Sequence, residues 1–382
     1  MKKTLFFALS LVVLFGVGSY ANAGALEDTL GGLLYFDTNL SSPKGQSCAS
    51  CHHPNAMFVD PDTSLPVSEG VIAGRFGGRN SPMASYAAFS PEFYFDEEEG
   101  LWIGGQFWDG RAATLEEQAK GPFLNPLEMN NSSKEEVINK IRKSSYATLF
   151  KLVYGPKSLN NVEKAYDLVA KAIAAFERTK LFNSFTSKYD WFLRGKVQLT
   201  AKEARGLALF NNDGETPTPG LGAGRCILCH PSERADDGSL PLFTDFSYDN
   251  LGIPVNPEIA VLKGEPVPVD YGLGATVGSE ENGKFKVMTL RNIARTAPYG
   301  HNGYFKTLKE IVHFYNTRDA LNRCVGGADE SPGVNCWPEP EVNNENVNTG
   351  ELGNLGLTSE EEDDIVAFLQ TLTDGYYCAK CN

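Results

Sequence analysis

The sequence predicts a mainly α-helical chain folded as two domains. Two observations carry that expectation. Val162, Tyr166, Val169, Ile173 and Phe176 recur at helical spacing as an apolar stripe, and a short motif with its upstream flank occurs twice, once in each half of the chain. A length of 382 residues with 42% hydrophobic content is enough for more than one core.

The N-terminus comes first. Lys2 and Lys3 precede an apolar run from Leu5 to Val17, and Ala21-Asn22-Ala23 supplies a small-residue cleavage site. This pattern reads as a signal peptide over residues 1–23, with a mature chain starting near Gly24 in the periplasm. The run is shorter than the ~20 residues that a spanning helix needs, so no membrane span is expected. A formal net charge of −14 disfavours nucleic acid and anionic lipid as partners.

The repeated motif is Cys48-Ala49-Ser50-Cys51-His52 in the first half and Cys226-Ile227-Leu228-Cys229-His230 in the second. C-x-x-C-H is the attachment sequence of c-type haem. Two thiols one helical turn apart add to the two vinyl groups, and the adjacent histidine becomes the proximal iron ligand. A redox dithiol or half a zinc site uses the same cysteine spacing, but a second copy in an exported chain favours haem. Two covalently attached haem c groups are therefore expected, on Cys48, Cys51 and His52 and on Cys226, Cys229 and His230. Gly32-Leu-Leu-Tyr-Phe36 lies upstream of the first motif and Gly206-Leu-Ala-Leu-Phe210 upstream of the second. The pairing of motif and flank suggests a duplicated cytochrome c-like domain, with boundaries at 24–190 and 191–382.

Other elements follow from local signals. Thr358 and Glu361 form a capping box ahead of Ile365, Val366, Phe368, Leu369 and Leu372, which predicts a closing helix. Gly- and Pro-rich stretches over 211–224 and 250–274 are expected as loops.

Several segments together resemble the bacterial dihaem cytochrome c peroxidase and MauG family: Gly78-Arg-Asn-Ser-Pro82, Gln106-Phe-Trp-Asp-Gly-Arg-Ala112, Glu117-Gln-Ala-Lys-Gly-Pro122, Asn125-Pro-Leu-Glu-Met129, and Leu290-Arg-Asn-Ile through Pro298-Tyr-Gly-His-Asn-Gly303. The resemblance spans nearly the whole mature chain. It implies that the N-terminal haem reacts with hydrogen peroxide while the C-terminal haem exchanges electrons with it. It further implies that Trp108 lies between the haems, that Glu128 and Gln118 stand on the distal side of the first haem, and that Asn80, Thr296 and Pro298 hold a calcium ion between the domains. A carboxylate on the distal side suits proton transfer between peroxide oxygens, and oxygen donors suit calcium. Some relatives dimerise, so a homodimer is compatible with the resemblance.

Two departures point to the MauG-like branch. Fourteen residues after His301, where typical peroxidases place a methionine ligand to the second haem, this chain has Tyr315. A phenolate favours oxidised over reduced iron relative to a thioether. Met288 is the nearest alternative sulfur. At the position of the distal histidine of resting peroxidases stands Ile72, and no histidine occurs between His53 and His230. The first haem is therefore expected to be open to peroxide. Of the remaining histidines, His53 is expected to be exposed, His313 to face away from the second iron and His301 to hydrogen-bond near it.

Cys324, Cys336, Cys378 and Cys381 remain, and two disulfides, 324 with 336 and 378 with 381, are expected among three pairings. The final Cys-Ala-Lys-Cys lacks a following histidine and does not predict a third haem, while a redox-active or metal-binding tail stays open. The segment Phe89 to Gly105 reads as an insertion without an assigned place. Three functions compete: a MauG-like peroxidase that draws electrons from a protein substrate, a peroxide scavenger fed by a small cytochrome c or a cupredoxin, and a dihaem electron carrier without turnover.

Overall fold

The computed structural model describes residues 24–215, 220–343 and 346–378. The expected signal peptide and Cys381 lie outside the described residues. In the first half, helices α1 (24–35), α2 (Cys48–Cys51), α3 (Leu115–Leu124), α4 (Lys134–Arg142), α5 (Ala147–Tyr154) and α6 (Val162–Glu177) follow in order. In the second come α7 (Lys188–Leu193), α8 (Ala201–Asn211), α9 (Pro257–Lys263), α10 (Gly274–Val277), α11 (Leu308–Thr317) and α12 (Ser359–Gln370). Six short strands pair two by two: β1 (Tyr94–Asp96) with β2 (Leu101–Ile103), β3 (Tyr248–Asp249) with β4 (Phe285–Lys286), and β5 (Asn322–Arg323) with β6 (Cys336–Trp337). The chain is mainly helical, as expected, and among the described residues no helix is long and apolar enough to cross a membrane.

Local sequence chemistry starts the helices. Ser133, Asn161, Thr200, Thr307 and Thr358 each cap a helix by accepting a backbone N–H of its first turn, which satisfies a donor that has no partner inside the helix. The apolar stripe predicted on α6 buries Tyr166, Val169 and Ile173. They pack with Leu34, Tyr35, Phe123 and Phe150 in one cluster of buried side chains drawn from residues 30–182. A second cluster, from residues 189–372, contains Leu209, Phe210, Phe243, Phe314 and Phe368. Asp190 and Arg291, both fully buried, form an ion pair at 2.9 Å inside this second region.

The helices upstream of the two motifs share one packing arrangement, with its register shifted by one residue from the sequence expectation. A Cβ on Gly31 would stand 1.9 Å from the Ala172 carbonyl oxygen of α6, and one on Gly206 would stand 1.9 Å from the Asp364 carbonyl oxygen of α12. Phe176 and Phe368 are the next neighbours of the two glycines. Gly31, rather than Gly32, is thus the counterpart of Gly206, so Leu34 and Tyr35 match Leu209 and Phe210. All four side chains are buried, whereas Phe36 is exposed. Each glycine lets two helices cross at a distance that any side chain would forbid.

Two segments differ from expectation. The stretch 250–274 contains α9, started by the Asn256 cap with Pro257 in the first turn and ended by Gly264 at φ +67°; these are ordinary helix boundary signals. The unplaced insertion forms the β1–β2 hairpin. Phe93 stacks on Trp102 at 4.9 Å and meets Tyr248 edge-on at 6.0 Å, so the hairpin rests on the β3–β4 ribbon. Its tip carries Asp96 to Glu99, and Tyr94, Phe95 and Leu101 are exposed.

Candidate dihaem site

Two large cavities contain the two C-x-x-C-H motifs. The first, of about 380 Å³, is lined by Cys48, Cys51 and His52; the second, of about 210 Å³, by Cys226, Cys229 and His230. The first motif is a single helical turn, closed by a reciprocal Ser47–Ser50 capping box, and the second is a 3-10 turn. In both, the histidine N–H bonds the carbonyl of the first cysteine at 2.9 Å. That bond brings thiols and imidazole to one side of the turn.

The residues fit the cofactor. Cys48, Cys51, Cys226 and Cys229 are free, although Cys324 and Cys336 form the expected disulfide and Cys378 is disulfide-bonded as well. Burial pushes the Cys51 and Cys226 thiols up to about 12. His52 Nδ1 lies 3.3 Å from the Phe58 carbonyl oxygen and His230 Nδ1 2.7 Å from that of Phe243. A carbonyl partner on Nδ1 selects the tautomer that leaves Nε2 free to ligate a metal.

The first cavity also receives Gln118 from α3 and Glu128 from the turn after it. Asn125 caps the end of α3, and its Nδ2 donates to Glu128 Oε1 at 2.7 Å. Burial raises the Glu128 pKa, partly offset by the Asn125 bond and by Arg111. His52 is the only histidine among the described lining residues of this cavity. Ile72 does not line it.

Tyr315, on α11, lines the second cavity with His301 and the second motif. Burial, with the Cys226 and Cys229 thiols nearby, drives its phenol far above its ordinary pKa. Met288 lines both cavities. His301 stacks on Phe285 at 3.6 Å, with Nε2 3.3 Å from Glu341 Oε2. His313 turns to Glu362 at 2.8 Å, away from the cavity. His53 is half-buried rather than exposed, because its Nδ1 accepts from Asn55 N and caps a short 3-10 turn.

Trp108 belongs to the wall common to both cavities. Asn80, Thr296 and Pro298 meet at a third cavity of about 10 Å³, shared with Asp60 and Asp62. That space holds roughly one water-sized particle, and side-chain carboxylates with amide and hydroxyl oxygens form a donor set that suits a hard cation.

Sequence reasoning missed three charged features. Arg79 binds Asp270 through two hydrogen bonds of 2.6 and 2.7 Å and reaches Asp109 at 2.6 Å, tying the Gly78–Pro82 segment to the second half of the chain. Glu177 lines the first cavity and is buried at the end of α6; its position four residues after Ile173 on the apolar face was the available signal. Lys286 lines both cavities and had no local signal.

The fold and the paired sites define a c-type cytochrome with two haem positions. The family model described as di-haem cytochrome c peroxidase matches residues 27–198. The methylamine utilization protein MauG of Paracoccus denitrificans is 37% identical over 378 residues, covering 96% of this chain and 94% of that protein. The cytochrome c peroxidase Ccp of Escherichia coli is 35% identical over 357 residues, covering 92% of this chain and 59% of that protein. Among solved structures, the diheme peroxidase BthA of Burkholderia thailandensis superimposes with a TM-score of 0.78 at 31% identity, over 91% of this chain and 86% of that one. The chain belongs to the di-haem cytochrome c peroxidase/MauG family, as an oxidoreductase of the peroxidase type with two haem c groups.

Proposed function

We propose that this chain is a periplasmic, MauG-like peroxidase that reduces hydrogen peroxide and replaces the electrons from a protein substrate. The observation that carries the reading is the asymmetry of the two cavities: an acid, Glu128, and no second histidine among the described residues of the first, and a tyrosine, Tyr315, in the second. When bound, the haems supply the redox chemistry, with peroxide reduced at the first site and electrons entering through the second.

The protein's own residues then have separable tasks. Glu128 would take up a proton from one peroxide oxygen and deliver it to the other, and Asn125 orients it. Gln118 positions the peroxide by hydrogen bonding. His52 would hold the iron of the first haem, and His230 together with Tyr315 that of the second. Trp108 bridges the two sites, and Asn80, Thr296 and Pro298 hold calcium. The domains are 24–190 and 191–382, each a cytochrome c-like unit around one haem, and residues 1–23 direct export.

In the second reading, the electrons come from a small cytochrome c or a cupredoxin and the protein removes peroxide. The similarity to a cytochrome c peroxidase over 92% of this chain favours it. One experiment separates the two. Holoprotein is mixed with peroxide and either reduced cytochrome c or candidate partner proteins, with mass spectrometry of tyrosine and tryptophan residues in the partners. Modified side chains with slow cytochrome oxidation support the MauG-like reading; rapid catalytic cytochrome oxidation without modification supports the scavenger. A dihaem carrier without turnover predicts neither.

A further inference from the structure

A buried charge is costly unless an opposite charge accompanies it. The arginines packed most deeply into the cavity walls obey this rule: Arg79 pairs with Asp109 and Asp270, and Arg291 with Asp190. Lys286 does not. It is 7% exposed and lies in the wall common to both cavities. Its Nζ donates to two neutral acceptors, Ser90 Oγ and the Gly105 carbonyl, and stands 5.4 Å from the Phe246 ring. Among the described residues no carboxylate pairs with it.

The backbone holds this amine in place. Lys286 N bonds the Trp108 carbonyl at 2.9 Å, and the residue pairs with Tyr248 across β3–β4. Ser90 and Phe246 line the first cavity and not the second, so the amine belongs to the first. Haem c carries two propionate carboxylates that thioether attachment leaves free. We propose that Lys286 is a carboxylate-binding residue, its ammonium pairing with a propionate of the haem attached at Cys48 and Cys51.

The proposal rests on the dihaem reading and adds the anion that the wall lacks. Burial alone lowers the Lys286 pKa to about 7, and a carboxylate beside it restores the charged form. A fixed positive charge at the first haem favours its reduced state, one backbone hydrogen bond away from Trp108. Lys286 is a positioning residue, and potential is the property it sets.

The test uses holoprotein, with haem count by intact mass and the two midpoint potentials by spectroelectrochemical titration. Lys286→Met is expected to keep two haems and to lower one potential by at least a tenfold change in the reduced-to-oxidised ratio, about 59 mV for a one-electron couple. Lys286→Arg is expected to restore it. Two attached haems with unchanged potentials in Lys286→Met overturn the proposal. Fewer than two haems in the unsubstituted protein overturn the dihaem reading instead. If Lys286→Met does not accumulate as holoprotein, a crystal structure of the unsubstituted holoprotein decides: Nζ within 4 Å of a propionate oxygen supports the assignment, and a longer separation rejects it.

Discussion

Trp108 Nε1 donates a 2.9 Å hydrogen bond to the carbonyl oxygen of Asn80. The bond joins the indole of the shared wall to a residue that also lines the small oxygen-rich cavity with Thr296 and Pro298. Asn80 is itself held by its N–H to the His301 carbonyl at 2.8 Å and by its Nδ2 to the Pro66 carbonyl at 3.1 Å. Displacement of Asn80 therefore reaches Trp108 and the second cavity together.

Calcium removal should exploit this connection. Chelation of the holoprotein, or Asn80→Ala, is expected to alter the EPR signals of both haems and to slow the reaction with peroxide, with recovery on adding calcium to the chelated protein only. Spectra that ignore both chelator and calcium would remove the proposed ion.

Tyr315 is the proposed sixth ligand at the second site. Tyr315→Phe in oxidised holoprotein is expected to lose or change one low-spin EPR signal and to raise the potential of that haem, because phenolate stabilises oxidised iron. Met288→Leu serves as the control, since Met288 also lines this cavity. Loss of the signal in the methionine variant alone reassigns the ligand.

Glu128→Gln keeps the shape and the Asn125 contact but cannot shuttle a proton. The rate of reaction with peroxide is expected to fall by about 10²- to 10⁴-fold, while haem content and both potentials stay near those of the unsubstituted protein. A rate within twofold, measured by stopped-flow absorbance, contradicts the assignment.

Glu177 gives a pH prediction. Burial raises its carboxyl from 4.5 to about 8, with Glu116 adding and Arg178 opposing; the Cys48 and Tyr35 groups also feel its charge. A folded-state pKa above the unfolded value means that the neutral acid is preferred in the fold. Its contribution is complete below pH 4.5 and is lost as pH rises through 8, on the order of 5 kcal/mol at 1.36 kcal/mol per unit. Thermal unfolding of Glu177→Gln should therefore gain on the unsubstituted protein between pH 5 and pH 9. Parallel curves across that range reject the shift.

Much of the site could be read in the chain because its chemistry is covalent and local. C-x-x-C-H places thiols and imidazole on one turn whatever surrounds them, and capping residues mark helix starts within four positions. The β1–β2 hairpin was harder to recognise, since its aromatic side chains find their partners at Tyr248, far along the chain.

The sequence by itself determined the two haem motifs, the helical class and the family resemblance, and left the 324–336 disulfide as one of three pairings. Tertiary structure decided the rest. It set the repeat on Gly31 rather than Gly32, because only the former meets the facing helix closely enough to exclude a side chain. It brought Asn80, Thr296 and Pro298 to one small cavity and Trp108 into the shared wall. It also left Lys286 buried with no carboxylate partner among the described residues. The physical reason is the same in each case: spacing along the chain encodes what one turn can do, whereas burial and charge balance depend on residues that only packing brings together.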